Sequence, residues 1–332
     1  MMEPLASTEQ VRIDVHLPDG GTLSELAGDT REGLARQLKE LPPKYFYDER
    51  GSELFEQITT LPEYYPTRAE RTILEQRGAE IVAAAGSPRT LVELGSGACS
   101  KTRCLLDAMR DAGCLELYIP VDISEEITRR AADELVAEYP GLRVRGVVCD
   151  FEHHLEWLPM NGGRLIAFLG GTIGNFDVEA RHGFLARIAA TMGPDDRLLL
   201  GTDLVKDRDR LEAAYDDSQG VTAEFNKNVL HVLNRELDAD FDLARFEHRA
   251  FYDADEERID IRLRSTADQR VRLEALDMEV AFAEGEDLRT ELSCKFTPDS
   301  LERSYAEAGL EMTSFFTDPE ELFALSLARV SG

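Results

Sequence analysis

Residues 90 to 102, TLVELGSGACSKT, run from an apolar stretch through a turn with two glycines into a helical pattern. In an open α/β sheet, ligands bind beyond the carboxyl ends of the strands, at the switch point beside the first one. Gly95 and Gly97 stand at that place with Ser96 between them, and they let the backbone turn sharply and leave room for a ligand. Asp122 ends the next apolar run, YIPVDIS, where a carboxylate accepts hydrogen bonds from ribose hydroxyls. Asp150 and Phe151, at the end of the third run, offer a polar contact and an apolar wall for an adenine. A strand–glycine–helix turn that binds nothing is the plain alternative, and the acids closing the next two strands weigh against it. A dinucleotide is disfavoured, because the third glycine that lets a helix N-terminus approach a pyrophosphate is missing. Farther along, Glu291 and Ser293 in TELSCKF are two residues apart on a predicted strand. Both therefore point to one face, while Leu292 points to the other; a solvated strand face is the ordinary reading of such a pair.

The elements that must position these groups follow from periodicity. From about residue 68 to 205, helical patterns such as AERTILEQRGAEIVAAAG and SEEITRRAADELVAEY alternate with short apolar runs such as TLVELG, LYIPVDI, RVRGVVCDF and DRLLLGTDLV. That alternation predicts βαβ units and a parallel, doubly wound sheet. Residues 206 to 240 then read as helical, and 247 to 296 as antiparallel strands with a turn at AEGEDL. TPDSLERSYAEAGL reads as a helix with Thr297 or Asp299 as N-cap, followed by two strands. The expected architecture is an α/β core over 68–205 and 296–332, with an inserted α+β lobe over 206–295 and residues 1–67 packed with that lobe.

Composition narrows the partners. The net charge of −28 repels phosphate backbones and anionic headgroups, which disfavours nucleic acid and membrane surfaces. No apolar run approaches the ~18 residues of a membrane span, and the N-terminal stretch lacks the regions of a signal peptide, so a cytoplasmic protein is expected; a monomer is the separate expectation for its assembly. Five cysteines without a C-x-x-C pair argue for reduced thiols. His153 and His154 are adjacent and read as a solvated helix start, and no metal is expected.

Longer stretches carry a resemblance. ELGSG, VDIS and CDF together resemble the motif series of class I methyltransferases, whose cofactor is S-adenosylmethionine and whose sheet is Rossmann-like and seven-stranded. LPPKYFYDERGSELFEQITTLPEYYPTRAE, FLGGTIGNF, AYDDSQGVTAEFNKNVLHVLNREL and ELSCKF add a more specific likeness. From about residue 40 to the C-terminus the chain resembles the histidine-specific N-methyltransferases of ergothioneine biosynthesis. That resemblance implies transfer of three methyl groups to the α-amino nitrogen of L-histidine, through mono- and dimethylated forms, and assigns the inserted lobe to the substrate.

By the same resemblance, Asn175 and Tyr215 hold the substrate carboxylate, as neutral donors suited to a place where a Lys or Arg would invite unproductive anions. Glu291 and Ser293 recognise the imidazole, since a carboxylate and a hydroxyl side by side can clamp its two nitrogens. Tyr47 reaches the same ring, Tyr64 (with Tyr65 as its alternative) lies near the methyl donor, and Lys101 meets the carboxylate of the cofactor's methionine part. Tyr47, Tyr64 or water accepts or relays the protons released. Ala98, Cys99 and Gly171 replace small hydroxyl residues of the family pattern, and Ile261 replaces a methionine lining the pocket, which opens the question of ring specificity. The alternatives are the same chemistry on another aromatic amino acid such as tryptophan, an NAD-dependent oxidoreductase, or a non-catalytic S-adenosylmethionine sensor.

Overall fold

The computed structural model describes residues 10–16, 21–97, 99–152, 154–158 and 162–332; His153 and Ala98, both singled out above, lie outside the described residues. The chain begins with β1 (Val11–Val15), α1 (Gly21–Ala35), β2 (Lys39–Glu40), α2 (Glu49–Thr60) and α3 (Pro66–Ala84). Strands β3 (Thr90–Leu94), β4 (Leu117–Asp122), β5 (Arg143–Val148), β6 (Arg164–Phe168) and β7 (Arg197–Asp203) follow, with α4 (Thr102–Asp111), α5 (Glu125–Glu138) and α6 (Val178–Thr191) between them. Then come α7 (Arg208–Tyr215), α8 (Val221–Glu236), β8 (Phe246–Asp253), β9 (Arg258–Ser265), β10 (Gln269–Leu273), β11 (Met278–Phe282) and β12 (Asp287–Cys294). Helix α9 (Pro298–Glu307) and strands β13 (Leu310–Thr317) and β14 (Phe323–Val330) close the chain.

Two compact units result. The first comprises residues 1–17, 68–204 and 296–332; the second, 18–67 and 205–295. The first unit is built on a sheet of order β1-β5-β4-β3-β6-β7-β14-β13, parallel except at β14 and β13. Its central strands β3 and β6 are buried along nearly their whole length, as strands of a parallel sheet covered on both faces are, and they read as mostly apolar runs. Helix starts are fixed by side chains that satisfy orphan backbone N–H groups: Ser124 for α5, Asp177 for α6, and a reciprocal Thr297–Ser300 box for α9. Thr297 is thus the cap, and Asp299 is not.

The sheet has eight strands rather than the expected seven. Residues 11–15 pair in parallel with β5, so this part of the N-terminal segment belongs to the first unit and not with the inserted lobe. Strand β5 would otherwise end the sheet with open backbone groups. Gly146 admits the newcomer, because a Cβ there would fall 2.6 Å from Ile13 Cδ1. Asp14 then accepts from both Arg12 and Arg145, which holds its carboxyl below the usual range against the opposing effect of burial.

The second unit carries a sheet of order β2-β12-β9-β8 and a separate hairpin, β10-β11. Helices α7 and α8 pack on β8 and β9. The AEGEDL turn is present, with Gly285 at φ 82° in the left-handed region.

Candidate active site

In the first unit the glycine turn has the predicted form. Gly95 and Gly97 have φ of 69° and 49°, conformations that side-chain-bearing residues rarely adopt. The Gly97 N–H donates to Asp122 at 2.8 Å, and the Ser124 N–H donates to the other carboxylate oxygen at 3.0 Å. These two bonds fix the carboxylate at the strand end while leaving lone pairs for further donors. A Cβ on Gly95 would lie 3.5 Å from Phe151 Cε1, so the phenyl ring walls the turn. Phe151 is itself held edge-on by Phe168, with ring centroids 5.6 Å apart. Asp150 is buried, and its carboxylate accepts from the Glu152 N–H at 2.8 Å. Ser96 Oγ is buried and finds no partner among the described residues. An orphaned hydroxyl, open lone pairs on a fixed carboxylate and an aromatic wall together suit an adenosyl group with ribose hydroxyls.

Lys101 brings a partner that the sequence did not suggest. Its ammonium pairs with Glu70, a fully buried carboxylate that also accepts the Gly170 N–H at 2.7 Å. Glu70 needs a glycine at 201, where a Cβ would fall 2.4 Å from its Oε1. The lysine is thereby aimed, and its ammonium carries more donors than one carboxylate oxygen uses. Glu93 within ELGSG accepts from Thr102 and from Tyr118, each at 2.6 Å, and burial pushes its pKa up to about 7. Cys99 sits beside this cluster, and burial lifts its thiol to about 12, which leaves it inert at neutral pH. Asn175 ends a short 3-10 turn, Thr172–Asn175, just past β6, and Gly171 before it has φ 73°. A side chain at 171 would be strained in that left-handed conformation, which glycine adopts freely.

The remaining residues expected at the site lie in the second unit, and a bulge decides their direction. Strand β12 pairs with β9 as Leu288↔Leu263 and Arg289↔Arg262, then as Glu291↔Ile261 and Ser293↔Ile259. Thr290 is the extra residue. Without it, strict alternation would put Thr290 and Leu292 on the face of Leu288, and Glu291 and Ser293 on the opposite one. With it, Glu291 and Ser293 share a face with Ile259 and Ile261, and with His248, Ala250 and Tyr252 of β8. The opposite face carries Arg262 and Arg289, both paired with Asp260.

The bulge is held by side chains. Thr290 Oγ1 reaches Asn226 Oδ1 at 2.6 Å and the Ile261 carbonyl at 3.2 Å. The Asn226 amide donates to the Arg262 carbonyl at 3.1 Å and to His248 Nδ1 at 2.8 Å, and His248 Nε2 lies 2.8 Å from the Tyr215 carbonyl. A carbonyl only accepts, so Nε2 carries the proton and Nδ1 accepts. Burial lowers the pKa of this histidine, which keeps it neutral in that role. The chain of bonds ties the strand that bears Glu291 to the end of α7, where Tyr215 sits.

Tyr215 OH lies 2.7 Å from Ser293 Oγ, and the two face a cation: Lys295, only 3% exposed, donates to Tyr215 OH at 3.0 Å and to Ser293 Oγ at 2.7 Å. The expectation that charged donors are kept away from Tyr215 is therefore overturned; the ammonium stands directly behind the hydroxyl. Burial pushes Glu291 up to about 7, with Lys295 opposing.

Tyr47 sits at a corner that Asn228 builds by donating to the Phe46 carbonyl at 2.9 Å and to Asp48 at 2.7 Å. Gly51 lets that corner close, since a Cβ there would lie 1.6 Å from the Phe46 carbonyl oxygen. The Tyr47 ring packs on Phe55 and Phe225, and the residue as a whole is 45% exposed. Desolvation pushes its hydroxyl well above the usual tyrosine range, and the Glu291 carboxylate adds to the rise. Of the tyrosine doublet, Tyr64 packs edge-on to Tyr215 with centroids 6.2 Å apart. Tyr65 is buried and its hydroxyl accepts from Lys206 at 2.7 Å, so Tyr64 is the one that joins this cluster.

The structure thus groups Tyr47, Tyr64, Tyr215, Ile261, Glu291 and Ser293 in one unit, and Gly95, Ser96, Gly97, Lys101, Asp122, Asp150, Phe151 and Asn175 in the other. Glu70, Asn226, His248 and Thr290 had no legible signal. Lys295 had one: Glu-x-Ser-x-Lys at residues 291, 293 and 295 repeats the two-residue period of a strand face.

The family described as SAM-dependent, histidine-specific methyltransferase matches residues 26–330. Histidine N-alpha-methyltransferase of Mycolicibacterium smegmatis is 57% identical over 303 residues, 91% of this chain and 94% of that one. The protein of the same name from Mycobacterium tuberculosis is 50% identical over 319 residues, 96% and 99% of the two chains. Ergothioneine biosynthesis protein 1 of Neurospora crassa is 31% identical over 303 residues, 88% of this chain and 34% of that longer protein. The chain is an enzyme of the SAM-dependent, histidine-specific methyltransferase family.

Proposed function

We propose that this enzyme trimethylates the α-amino group of L-histidine, through the mono- and dimethylated forms, to give the betaine hercynine as the first step of ergothioneine biosynthesis. Gly95, Ser96, Gly97, Lys101, Asp122, Asp150 and Phe151 hold S-adenosylmethionine, which supplies an electrophilic methyl group on a sulfonium. The observation that carries the substrate assignment is the Thr290 bulge, which turns Glu291 and Ser293 together onto one face beside Tyr215.

Glu291 accepts an N–H of the imidazole and Ser293 binds the other nitrogen, while Asn175 and Tyr215 donate to the carboxylate. Tyr47 completes the ring subsite, Ile261 forms its apolar floor and Tyr64 orients the amine. Displacement at a sulfonium carbon needs an amine lone pair in line at ~3 to 3.5 Å, and much of the rate comes from holding that geometry. The amine must shed a proton before each transfer. Tyr47, Tyr64 or water accepts or relays that proton; a Tyr47 hydroxyl raised above its usual pKa stays protonated at neutral pH and is not the resting base. The shape of the ring subsite argues against indole, because Glu291 and Ser293 are two polar groups and indole has one N–H.

Mass spectrometry of purified enzyme with S-adenosylmethionine and an equal mixture of the twenty amino acids tests the reading. Histidine alone gains up to three methyl groups if it holds. Methylation of tryptophan would overturn the ring assignment, and cofactor binding without any methylation would leave a sensor.

A further inference from the structure

Lys295 is a buried cation that the reaction above does not call for, and it touches two of the groups that the substrate must use. We propose that Lys295 is a positioning residue that fixes the direction of the hydrogen bonds offered by Ser293 and Tyr215, and thereby makes the subsite select a neutral imidazole with its bare nitrogen toward Ser293. The inference rests on the reading of Glu291 and Ser293 as the ring clamp.

An ammonium only donates, and two of its N–H groups are aimed at Ser293 Oγ (2.7 Å) and Tyr215 OH (3.0 Å). Each hydroxyl oxygen therefore spends a lone pair on Lys295, and its own proton is turned away from the ammonium. In the structure one of the two hydroxyls donates to the other at 2.7 Å; a ligand that takes over that bond is offered one O–H for a carboxylate oxygen at Tyr215 and one for a ring nitrogen at Ser293. Glu291, when ionised, accepts only. The clamp is thus one acceptor and one donor, which a neutral imidazole matches with its N–H and its bare nitrogen. A ring without a bare nitrogen leaves the Ser293 proton facing carbon, and an imidazolium sets N–H against O–H. The charge of Lys295 also opposes the rise that burial imposes on the Glu291 carboxyl.

The test compares wild type, K295M, S293A and the double variant by kcat and KM for L-histidine, with S-adenosylmethionine affinity measured by calorimetry. K295M is expected to raise KM for histidine at least about tenfold, since it frees two charge-assisted bonds to reorient. Cofactor affinity stays within about twofold if the first unit is intact. In the S293A background the same substitution costs much less, because the hydroxyl it acts on is gone. An unchanged KM in K295M, or costs that multiply independently, overturns the proposal. If wild type does not methylate histidine at all, the parent reading fails instead. A second measurement needs no variant: 3-thiazolyl-L-alanine, with its bare nitrogen at either ring position, competes with histidine more strongly than phenylalanine does. Equal competition overturns the donor assignment.

Discussion

Replacing Thr290 by valine probes how the ring clamp is aimed. Valine keeps the branched shape and opens no cavity, but it removes the hydroxyl that reaches Asn226 Oδ1 at 2.6 Å and the Ile261 carbonyl at 3.2 Å. Asn226 is 1% exposed, so its amide oxygen loses a donor that water does not readily replace. Leaving one buried acceptor short costs about 1–3 kcal/mol. If ~1 kcal/mol of that falls on the bulge that turns Glu291 and Ser293 to their face, KM for histidine rises roughly fivefold. Denaturant unfolding, steady-state kinetics and calorimetry with S-adenosylmethionine separate the parts. Stability falls, histidine KM rises and cofactor affinity holds, while Thr290→Ser, which keeps the hydroxyl, stays near wild type. A T290V enzyme with wild-type stability and wild-type histidine KM would refute the reasoning, since the bulge would then be held by the backbone alone.

Other outcomes follow from the same geometry. Glu291, raised to about 7 from an ordinary 4.5, contributes stability that is present below 4.5 and lost as pH rises through 7. Glu291→Gln should therefore gain stability relative to wild type between pH 5 and pH 8 in denaturant unfolding, and a difference that shrinks instead refutes the shift. Ionised Glu291 is also the form that accepts an imidazole N–H, so kcat/KM for histidine falls as pH drops below about 7 in wild type. Tyr65→Phe loses the bond from Lys206 and about 1 kcal/mol of stability, with kcat within about twofold of wild type. Tyr64→Phe, by contrast, lowers kcat; matching kinetics for the two variants would show that the doublet has been assigned wrongly. Gly51→Ala drives a methyl into the Phe46 carbonyl, must shift the corner that carries Tyr47, and costs about 1–3 kcal/mol with a raised histidine KM.

The sequence by itself determined the first unit in outline. Buried parallel strands read as apolar runs, and the covering helices read as 3.6-residue patterns, so the order of elements from β3 to β7 is written locally. Gly95, Gly97 and Asp122 are legible for the same reason: positive φ and a strand-end carboxylate are properties of single positions. The edge strand over residues 11–15 was not legible, because only the open side of β5 and the missing side chain of Gly146 give it a place.

In the second unit, Glu291 and Ser293 share a face by the period of two, but which face is a matter of pairing register. The Thr290 bulge settles that, and its hydroxyl partner, Asn226, is 64 residues away in sequence. Lys295 shares the period, yet only packing shows that it is buried and turned toward Tyr215 and Ser293 rather than solvated. Glu70 behind Lys101 and Asn228 behind Tyr47 belong to the same class. Local patterns name the groups that touch a ligand; the groups that orient them act through contacts between distant segments, and only the tertiary structure decides those.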